Sequence, residues 1–262
     1  MKLFLLPMLA LLGAASVPVP APAPAPEAKW QRIFDGKTLA GWTPKITGRA
    51  AGEDPLHMFI VKDGAIRVSH ANYTKFAGEF GHLFWKMPLK AYRVRFEYRL
   101  FGESLPGIQS WQASNSGLMF HAQAPETMRR DQDFPVSLEF QILGVPRPTR
   151  EPTGNVCTPG TTVVFEGKRD PRHCILSTSP LKPVGRWVRA EIEVLPNGEI
   201  THFIDGKAVL HYSAVELDPQ DKDAQPLIAA QGGKLPLQQG YIALQSEGHQ
   251  IEFRNIELQK LD

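Results

Sequence analysis

The chain has 262 residues, with 29 basic and 27 acidic side chains, so its formal net charge at neutral pH is only +2. No basic run or stripe is present, which argues against a nucleic-acid-binding surface. Beyond the first dozen residues, no apolar segment is long enough to span a membrane, which takes roughly 20 residues. The length is large for one average domain but ordinary for an all-β sandwich.

The N-terminus has the three-part pattern of a secretory signal peptide. Lys2 supplies a positive charge, residues 3–12 form an apolar run, and residues 13–16 are small. We therefore predict that residues 1–16 are a signal peptide and that the mature protein is periplasmic or secreted. The alternative is an N-terminal helix that is buried in the fold.

A proline-rich segment follows, in which Pro alternates with Val or Ala. Proline fixes φ and removes hydrogen-bond donors, so residues 17–27 are predicted to be an extended, semi-rigid linker. Residues 28–262 are predicted to form one folded domain. Neither a repeat nor a second domain is apparent in that stretch.

Apolar and polar residues alternate with the period of a β-strand along most of the domain, and long helical periodicity is absent. Asn197-Gly198 and Asp205-Gly206 are turn sequences of the hairpin type, so three consecutive strands around them should form a meander. The pattern predicts strands at 59–61, 65–68, 92–100, 116–121, 136–143, 162–165, 187–195, 200–204, 207–212, 241–246 and 251–258. A short helix is predicted near 219–224. Short strands separated by Gly and Pro turns indicate an all-β jelly-roll sandwich of two antiparallel sheets.

The two cysteines, Cys157 and Cys174, lie in a segment rich in Pro, Gly and Arg. In an exported protein an even pair favours a disulfide, which would stabilise this segment by about 3 kcal/mol. Two cysteines without a suitably spaced His pair make a poor zinc site.

Two predicted strands carry polar residues on alternate positions. In 115–121 the residues Asn115, Gly117 and His121 share one face, and in 137–143 Glu139 and Gln141 do so. If the strands are neighbours, an imidazole, a carboxylate and two amides converge on one surface, where glycine allows close approach of a ligand. An ordinary solvated sheet face explains the same pattern equally well.

Three further residues are candidates for contacting a ligand. Gln245 lies on the polar face of its strand, His82 could line a cleft, and Trp111 could stack on a sugar ring. No nucleophile elbow, phosphate loop or zinc-protease motif is present. Glu139 has no acidic partner two or four residues further along its strand, which argues against a standard two-carboxylate glycosidase.

Seven sequence blocks in order resemble the 3-keto-disaccharide hydrolase family, from the opening Ile33-Phe-Asp-Gly-Lys-Thr-Leu-Ala-Gly-Trp42 onward. The remaining blocks are 59–64, 92–100, 115–117, 139–141, 240–245 and 253–256. The resemblance spans nearly all of the predicted domain and implies a concanavalin A-like jelly roll. The implied activity is a hydrolase or lyase that acts on glycosides oxidised at C3, and the alternative is a non-catalytic carbohydrate-binding module of the same fold.

A C3 ketone acidifies the C2 proton, so the implied chemistry is proton abstraction, elimination of the glycosidic oxygen and hydration. On this resemblance, Glu139 and His121 would share acid and base duties. Asn115, Gln141 and Arg99 would bind the keto sugar or its enolate. The cofactor question stays open: a divalent metal held by His121 and Glu139 is one option. An oxidoreductase that oxidises the sugar at C3 would act upstream.

Overall fold

The computed structural model describes residues 29–261. The predicted signal peptide (1–16) and the predicted linker (17–27) lie outside this range, so both stay predictions. Within residues 29–261 no helix is long and apolar enough to cross a membrane. The single α-helix of this part of the chain, α1, spans Gln225–Ala230.

The described chain is a β-sandwich of two antiparallel sheets, as predicted. The strands in chain order are β1 Gln31–Arg32, β2 Trp42–Ile46, β3 Phe59–Lys62, β4 Ala65–Val68, β5 Gly81–Trp85, β6 Tyr92–Leu100, β7 Asn115–Ala122, β8 Leu138–Leu143, β9 Asn155–Cys157, β10 Thr161–Phe165, β11 Lys168–Asp170, β12 Cys174–Ile175, β13 Val188–Val194, β14 Ile200–Ile204, β15 Lys207–Leu217, β16 Tyr241–Ser246 and β17 Ile251–Lys260. Short 3₁₀ turns occur at Ser110–Gln112 and Pro125–Thr127.

One sheet has ten strands and the other has seven. The larger runs in the order β11-β10-β15-β14-β13-β6-β17-β4-β3, with β1 paired to β17. The smaller runs β12-β9-β8-β7-β16-β5-β2. Sequential strands β13, β14 and β15 are neighbours, which confirms the predicted meander. Asp205 and Gly206 both have positive φ, as a tight hairpin turn of this kind requires.

The core fills the space between the sheets. Apolar side chains at alternate positions of β6 and β8 point inward, and the rings of Phe96 and Phe140 meet across the gap with centroids 6.0 Å apart. Phe253 of β17 adds a third ring 6.1 Å from Phe96. His202 is also fully buried here: its Nδ1 lies 3.0 Å from the Gly154 carbonyl oxygen and its Nε2 lies 2.8 Å from the Tyr212 hydroxyl. It is a core histidine with both nitrogens occupied.

Every strand predicted from the alternation overlaps an observed strand. The predicted helix lies several residues further along, at Gln225–Ala230, because the Asp221 carboxylate accepts hydrogen bonds from the backbone N–H groups of Asp223 and Ala224. Those bonds hold the preceding residues in a turn. The short strands β1, β2, β5, β9, β11 and β12, of two to five residues each, were not predicted.

The disulfide between Cys157 and Cys174 is present, as predicted. The two cysteines lie directly opposite each other in the pairing of β9 with β12, at the edge of the seven-stranded sheet. The bond therefore ties the last strand to the sheet and closes the loop between them.

Candidate active site

The outer face of the seven-stranded sheet brings together most of the polar residues that the sequence singled out. Strands β7 and β8 are neighbours, with Gly117 opposite Gln141 and Met119 opposite Glu139. A Cβ atom on Gly117 would lie 2.7 Å from Glu139 Oε1 and 3.0 Å from Gln245 Oε1. The bare backbone at Gly117 is thus what leaves room for the Glu139 and Gln245 side chains.

A cleft of about 400 Å³ opens on this face. Two aromatic side chains, several polar side chains and the disulfide form its walls. The residues that line it are Trp111, Asn115, Phe134, Glu139, Gln141, Arg147, Glu151, Cys157, Pro159, His173, Cys174 and Glu247.

Two carboxylates are buried in the cleft. Glu139 and Glu247 are 7% and 3% exposed, and Glu139 Oε1 and Glu247 Oε2 have no hydrogen-bond partner among residues 29–261. Burial raises the pKa of Glu139 to about 8. Burial, reinforced by the charge of Glu139, raises the pKa of Glu247 well above its ordinary value. Two carboxylates that repel each other in a desolvated site hold at least one proton near neutral pH.

Two amide side chains accompany the Glu139 carboxylate: Gln141 on the same strand, which lines the cleft, and the fully buried Gln245 on β16. The Gln245 amide counters part of the rise in the Glu139 pKa, although the two side chains do not meet in good hydrogen-bonding geometry. Gln141 Oε1 accepts a hydrogen bond of 2.8 Å from Asn155, whose own Oδ1 accepts one from the Ser177 backbone N–H. Gln141 is therefore held in place by the neighbouring strand, with its amide nitrogen free of that bond.

Arg147 brings a cation into the same cleft. Its side chain is only 3% exposed, and it lies 3.5 Å from the half-exposed Glu151. Its Nη2 donates to the Trp111 carbonyl oxygen at 3.3 Å, but Nε and Nη1 have no partner within the described chain. Desolvation lowers the pKa of Arg147, and the nearby Glu151 and Glu247 counter that effect. Unused, buried guanidinium donors are suited to binding an anionic oxygen.

Asn115 offers an acceptor at the same wall. Its Nδ2 donates to the Trp111 carbonyl oxygen at 3.1 Å, which leaves Oδ1 buried and without a partner in residues 29–261. Buried polar atoms are normally hydrogen-bonded, so a concentration of unpartnered ones marks a place where a ligand or water supplies the partner. Asn115, Glu139, Arg147 and Glu247 all contribute such atoms to this one cleft.

Aromatic side chains form the mouth of the cleft. Trp111 is 46% exposed and stacks on Phe80 with an interplanar angle of 10°. Phe134 packs against Phe80 and lies edge-on to His82, 5.9 Å between ring centroids. Of the predicted contacts, Trp111 therefore reaches the cleft, whereas His82 is fully buried behind Phe134. Burial lowers the pKa of His82 to about 3, so its imidazole is neutral.

The structure separates His121 from Glu139, so the predicted convergence of these two residues is wrong. Strand β7 contains one extra residue relative to β16 between Met119 and Ala122, and His121 adopts a φ of 49° there. This bulge breaks the period-two alternation and turns the imidazole toward the Tyr92 ring. His121 lines a different cavity, at one end of the sandwich.

Arg99 is also absent from the cleft, contrary to its predicted role at the keto sugar. It belongs to β6 in the ten-stranded sheet, where its guanidinium forms an ion pair of 2.5 Å with Glu252 and lies over the Trp187 ring. The alternation placed Arg99 correctly on an outer face, but on that of the opposite sheet.

A metal site made of His121 and Glu139 does not fit the structure, because the two residues line separate cavities. Among residues 29–261, the one group of three ligand-type side chains within 4.8 Å of one another is Cys157, His173 and Cys174. The two cysteines of that group are joined in the disulfide, so their sulfurs are not thiolate ligands.

Sequence reasoning missed Glu247 and Arg147 as site residues. Glu247 is two residues after Gln245, so the same-face spacing on β16 was the available signal. Arg147 lies in a loop, where no periodicity indicates the direction of a side chain. Glu139 has no acidic partner along its own strand, as the sequence shows, but a second carboxyl group comes from just beyond the end of β16.

The fold and cleft define a lectin-like β-sandwich with two buried carboxyl groups in a cleft on one sheet. The chain belongs to the family of the 3-keto-alpha-glucoside-1,2-lyase-like domain, whose model matches residues 29–259. A curated relative from Bacteroides thetaiotaomicron, a 3-keto-disaccharide hydrolase, is 25% identical over 248 residues, which cover 88% of this chain and 78% of that protein. The resemblance seen in the sequence blocks is thereby confirmed.

Solved structures support the fold. A candidate glycosyl hydrolase from Parabacteroides distasonis is 16% identical with a TM-score of 0.52, covering 89% of this chain and 94% of that one. A Bacillus subtilis protein of unknown function with a galectin-like fold has a TM-score of 0.54 at 12% identity, covering 88% and 94%. The jelly-roll assignment is confirmed by these similarities.

Proposed function

We propose that this protein cleaves glycosides that are oxidised at C3 of the sugar, by elimination followed by hydration, in the cleft on the seven-stranded sheet. The observation that carries the proposal is the joint burial of Glu139, Glu247 and Arg147 with unpartnered polar atoms. The family and the name of the curated relative supply the substrate class.

Glu139 is assigned the role of base. Its carboxylate removes the C2 proton, which the neighbouring C3 ketone acidifies, and the negative charge moves to the ketone oxygen as an enolate. Arg147 donates hydrogen bonds to that oxygen, because its Nε and Nη1 are buried and unpartnered within residues 29–261. Stabilising an anion in a desolvated site is worth far more than in water.

Glu247 is assigned the role of acid. As the C1–O bond breaks, the enolate electrons form a C1–C2 double bond, and Glu247 protonates the departing glycosidic oxygen. Water then adds its oxygen to C1 and returns a proton to Glu247, while Glu139 returns its proton to C2. The sum is glycoside plus water giving 3-keto sugar plus alcohol, and both carboxyl groups regain their starting states.

The raised carboxyl pKa values support this division of labour. A base and an acid that work together need one ionised and one protonated group at the same pH, and two mutually repelling buried carboxylates provide that state. The sequence-based assignment of the second role to His121 is replaced by Glu247, because His121 lines a different cavity.

The proposal implies a partner reaction and a compartment. An oxidoreductase that converts the C3 hydroxyl to a ketone must supply the substrate. The disulfide between Cys157 and Cys174 supports an oxidising compartment, which agrees with export directed by the predicted signal peptide.

A non-catalytic carbohydrate-binding module is the second candidate function. The exposed Trp111 at the mouth of the cleft favours it, since sugar-binding surfaces use aromatic platforms. A binding module would not need buried, unpartnered carboxylates, which cost free energy to desolvate.

The deciding experiment incubates the mature protein with 4-nitrophenyl 3-keto-glucoside and, separately, with its unoxidised parent, and follows release of nitrophenol. We expect release from the keto substrate only. Glu139→Gln should lower kcat by about 10²- to 10⁴-fold. The exposed Glu103→Gln is the matched control and should retain full activity.

Binding of the keto substrate without release, or equal release by the Glu139→Gln variant, would contradict the assignment. Repeating the assay after treatment with a chelator determines whether a cation takes part.

A further inference from the structure

A second cavity, at one end of the sandwich, has a lining unlike that of the cleft. It encloses about 250 Å³ and contains His121, the histidine that the bulge in β7 turns away from Glu139. Most of its other walls are apolar, namely Val194, Leu195, Ile200, Val215 and Leu237. We call it the end cavity.

The end cavity is held open by backbone hydrogen bonds. The segment that covers it, residues 236–238, is fixed at Leu237, whose N–H donates to the Val215 carbonyl oxygen at 2.9 Å. Beyond that segment, Gly240 and Leu89 exchange backbone hydrogen bonds of 2.8 and 3.1 Å. A Cβ atom on Gly240 would lie 2.2 Å from the His121 carbonyl carbon, so the covering segment packs directly on the His121 backbone. The cavity is therefore a preformed feature of the fold.

The charges around the end cavity indicate which kind of molecule would bind there. Lys90 lines the end cavity and also an adjoining cavity of about 440 Å³, which contains Lys234 as well. Neither lining includes an aspartate or glutamate. Lys90 forms no ion pair with the acidic side chains of residues 29–261. The local charge is therefore positive and free to pair with an anion.

His121 supplies a specific polar contact inside the apolar walls. It is 3% exposed, and its Nδ1 has no hydrogen-bond partner in the described part of the chain. Burial lowers its pKa to about 4, so the imidazole is neutral and offers one donor and one acceptor. An unpartnered buried nitrogen in an otherwise apolar cavity is a cost that a bound polar group would remove.

We infer that the end cavity binds a small carboxylic acid with an apolar body, such as an aromatic acid. The apolar walls would enclose the ring, Lys90 would pair with the carboxylate at the rim, and His121 would hydrogen-bond the ligand inside. This site is separate from the cleft and does not depend on the proposed glycoside chemistry.

The test titrates benzoate into the ¹⁵N-labelled mature protein and follows backbone amide shifts, with the neutral benzamide as the comparison ligand. We expect benzoate to shift the amides of Lys90, Gly198 and Gln238, and benzamide to bind about 1.4- to 5-fold more weakly, since an exposed ion pair contributes roughly 0.2–1 kcal/mol. Lys90→Gln should weaken benzoate binding by a similar factor and leave benzamide binding unchanged. The exposed Lys62→Gln, on β3 at the far edge of the ten-stranded sheet, is the matched control.

His121→Asn tests the inner contact, and Asn is chosen because it tolerates the positive φ at this position. Loss of benzoate and benzamide binding alike in this variant, with an unchanged amide spectrum elsewhere, supports the inference. Equal affinity for the two ligands, insensitivity to Lys90→Gln, or shifts confined to residues around Trp111 would overturn it. Because Lys90 is exposed, Lys90→Gln should fold normally. It therefore tests the inference even if His121→Asn does not fold.

Discussion

The cleft and the end cavity both contain a buried titratable side chain without a partner among residues 29–261, but the chemistry around each is opposite. The cleft is lined by Glu139, Glu247 and Glu151 together with one guanidinium. These groups are suited to proton transfer and to binding negative charge. The end cavity gathers a neutral His121 with Lys90 and has no acidic lining. One fold thus presents an acid–base site on a sheet face and a cation-lined apolar site between its sheets.

The difference between the two sites originates in a single extra residue of β7. Upstream of the bulge, Asn115 and Gly117 follow the alternation and face the cleft. Downstream of it, His121 is turned to the opposite side. A bulge of this kind redirects a side chain without disturbing the rest of the strand, which keeps both sites on the same element.

After that of Glu139→Gln, the largest expected effect on activity concerns the cation of the cleft. Arg147→Met should lower kcat on a 3-keto-glucoside by about 10²- to 10³-fold, with a smaller change in KM, because the lost donors act on the enolate rather than on the ground-state ketone. Steady-state kinetics provide the measurement. Arg150→Met, an exposed change of the same type in the same loop, should leave kcat unaltered. A matching loss in both variants would mean that loop stability, not oxyanion binding, is responsible.

The next effect concerns the shared proton of the carboxylate pair. Because both pKa values are raised, the competent state with Glu139 ionised and Glu247 protonated should give a bell-shaped pH dependence of kcat/KM. Glu247→Gln should remove the alkaline limb and leave the acidic limb in place, because burial, and not the charge of Glu247, raises the pKa of Glu139. The loss should be about 10²-fold for an alkyl glycoside and smaller for 4-nitrophenyl, which needs less protonation.

Glu103→Gln should keep both limbs of that profile. Retention of a full bell in Glu247→Gln would assign the acid role to another group.

Thermal stability should separate the two sites by the sign of its pH dependence. Glu139 has a folded pKa of about 8, above its ordinary value of 4.5, so its burial costs nothing at low pH and destabilises progressively as pH rises from 4.5 to 8. Glu139→Gln should therefore raise Tm at pH 8 by at least about 3 °C and have little effect at pH 4.

His121 should behave in the opposite sense. Its folded pKa of about 4 lies below the ordinary value of 6.5, so its contribution to stability is intact above pH 6.5 and is lost as pH falls toward 4. The difference in Tm between His121→Asn and the parent should therefore be more positive at pH 4 than at pH 8. The Tm of each variant is measured across this pH range and compared with that of the parent. The differences isolate the contributions of Glu139 and His121 from those of the other buried histidines. The same sign for both variants would show that one of the two burial assignments is wrong.

The sequence predicted the fold and part of the cleft because both depend on period-two alternation. Asn115, Glu139, Gln141 and Gln245 all lie within regular strands, where alternation determines the face once strand order is known. Beyond the meander, alternation does not determine which strands are neighbours. Arg99 was therefore grouped with residues of the cleft although its strand belongs to the opposite sheet.

The rest of the cleft depends on features that alternation does not encode. Arg147 lies in a loop, where tertiary contacts decide the side-chain direction. Glu247 lies one residue beyond the end of β16 on the face that Gln245 indicates, but its approach to Glu139 depends on which strands are neighbours. His121 looked equivalent to Asn115 in sequence, because a bulge has no signal in the residue pattern when the residue with positive φ is not glycine.

The smallest expected effect concerns the mouth of the cleft. Trp111→Leu should raise KM for a 3-keto-glucoside by about fivefold with kcat within twofold, because an exposed aromatic platform contributes roughly 1 kcal/mol to holding a sugar ring and takes no part in proton transfer. Trp187→Leu, which removes a tryptophan from the outer face of the other sheet, is the matched control and should not change KM. Benzoate binding to the end cavity should be the same in Trp111→Leu as in the parent, since no aromatic side chain of the cleft lines that cavity. A fall in kcat at constant KM would instead assign Trp111 to the positioning of Arg147, whose Nη2 donates to its carbonyl oxygen.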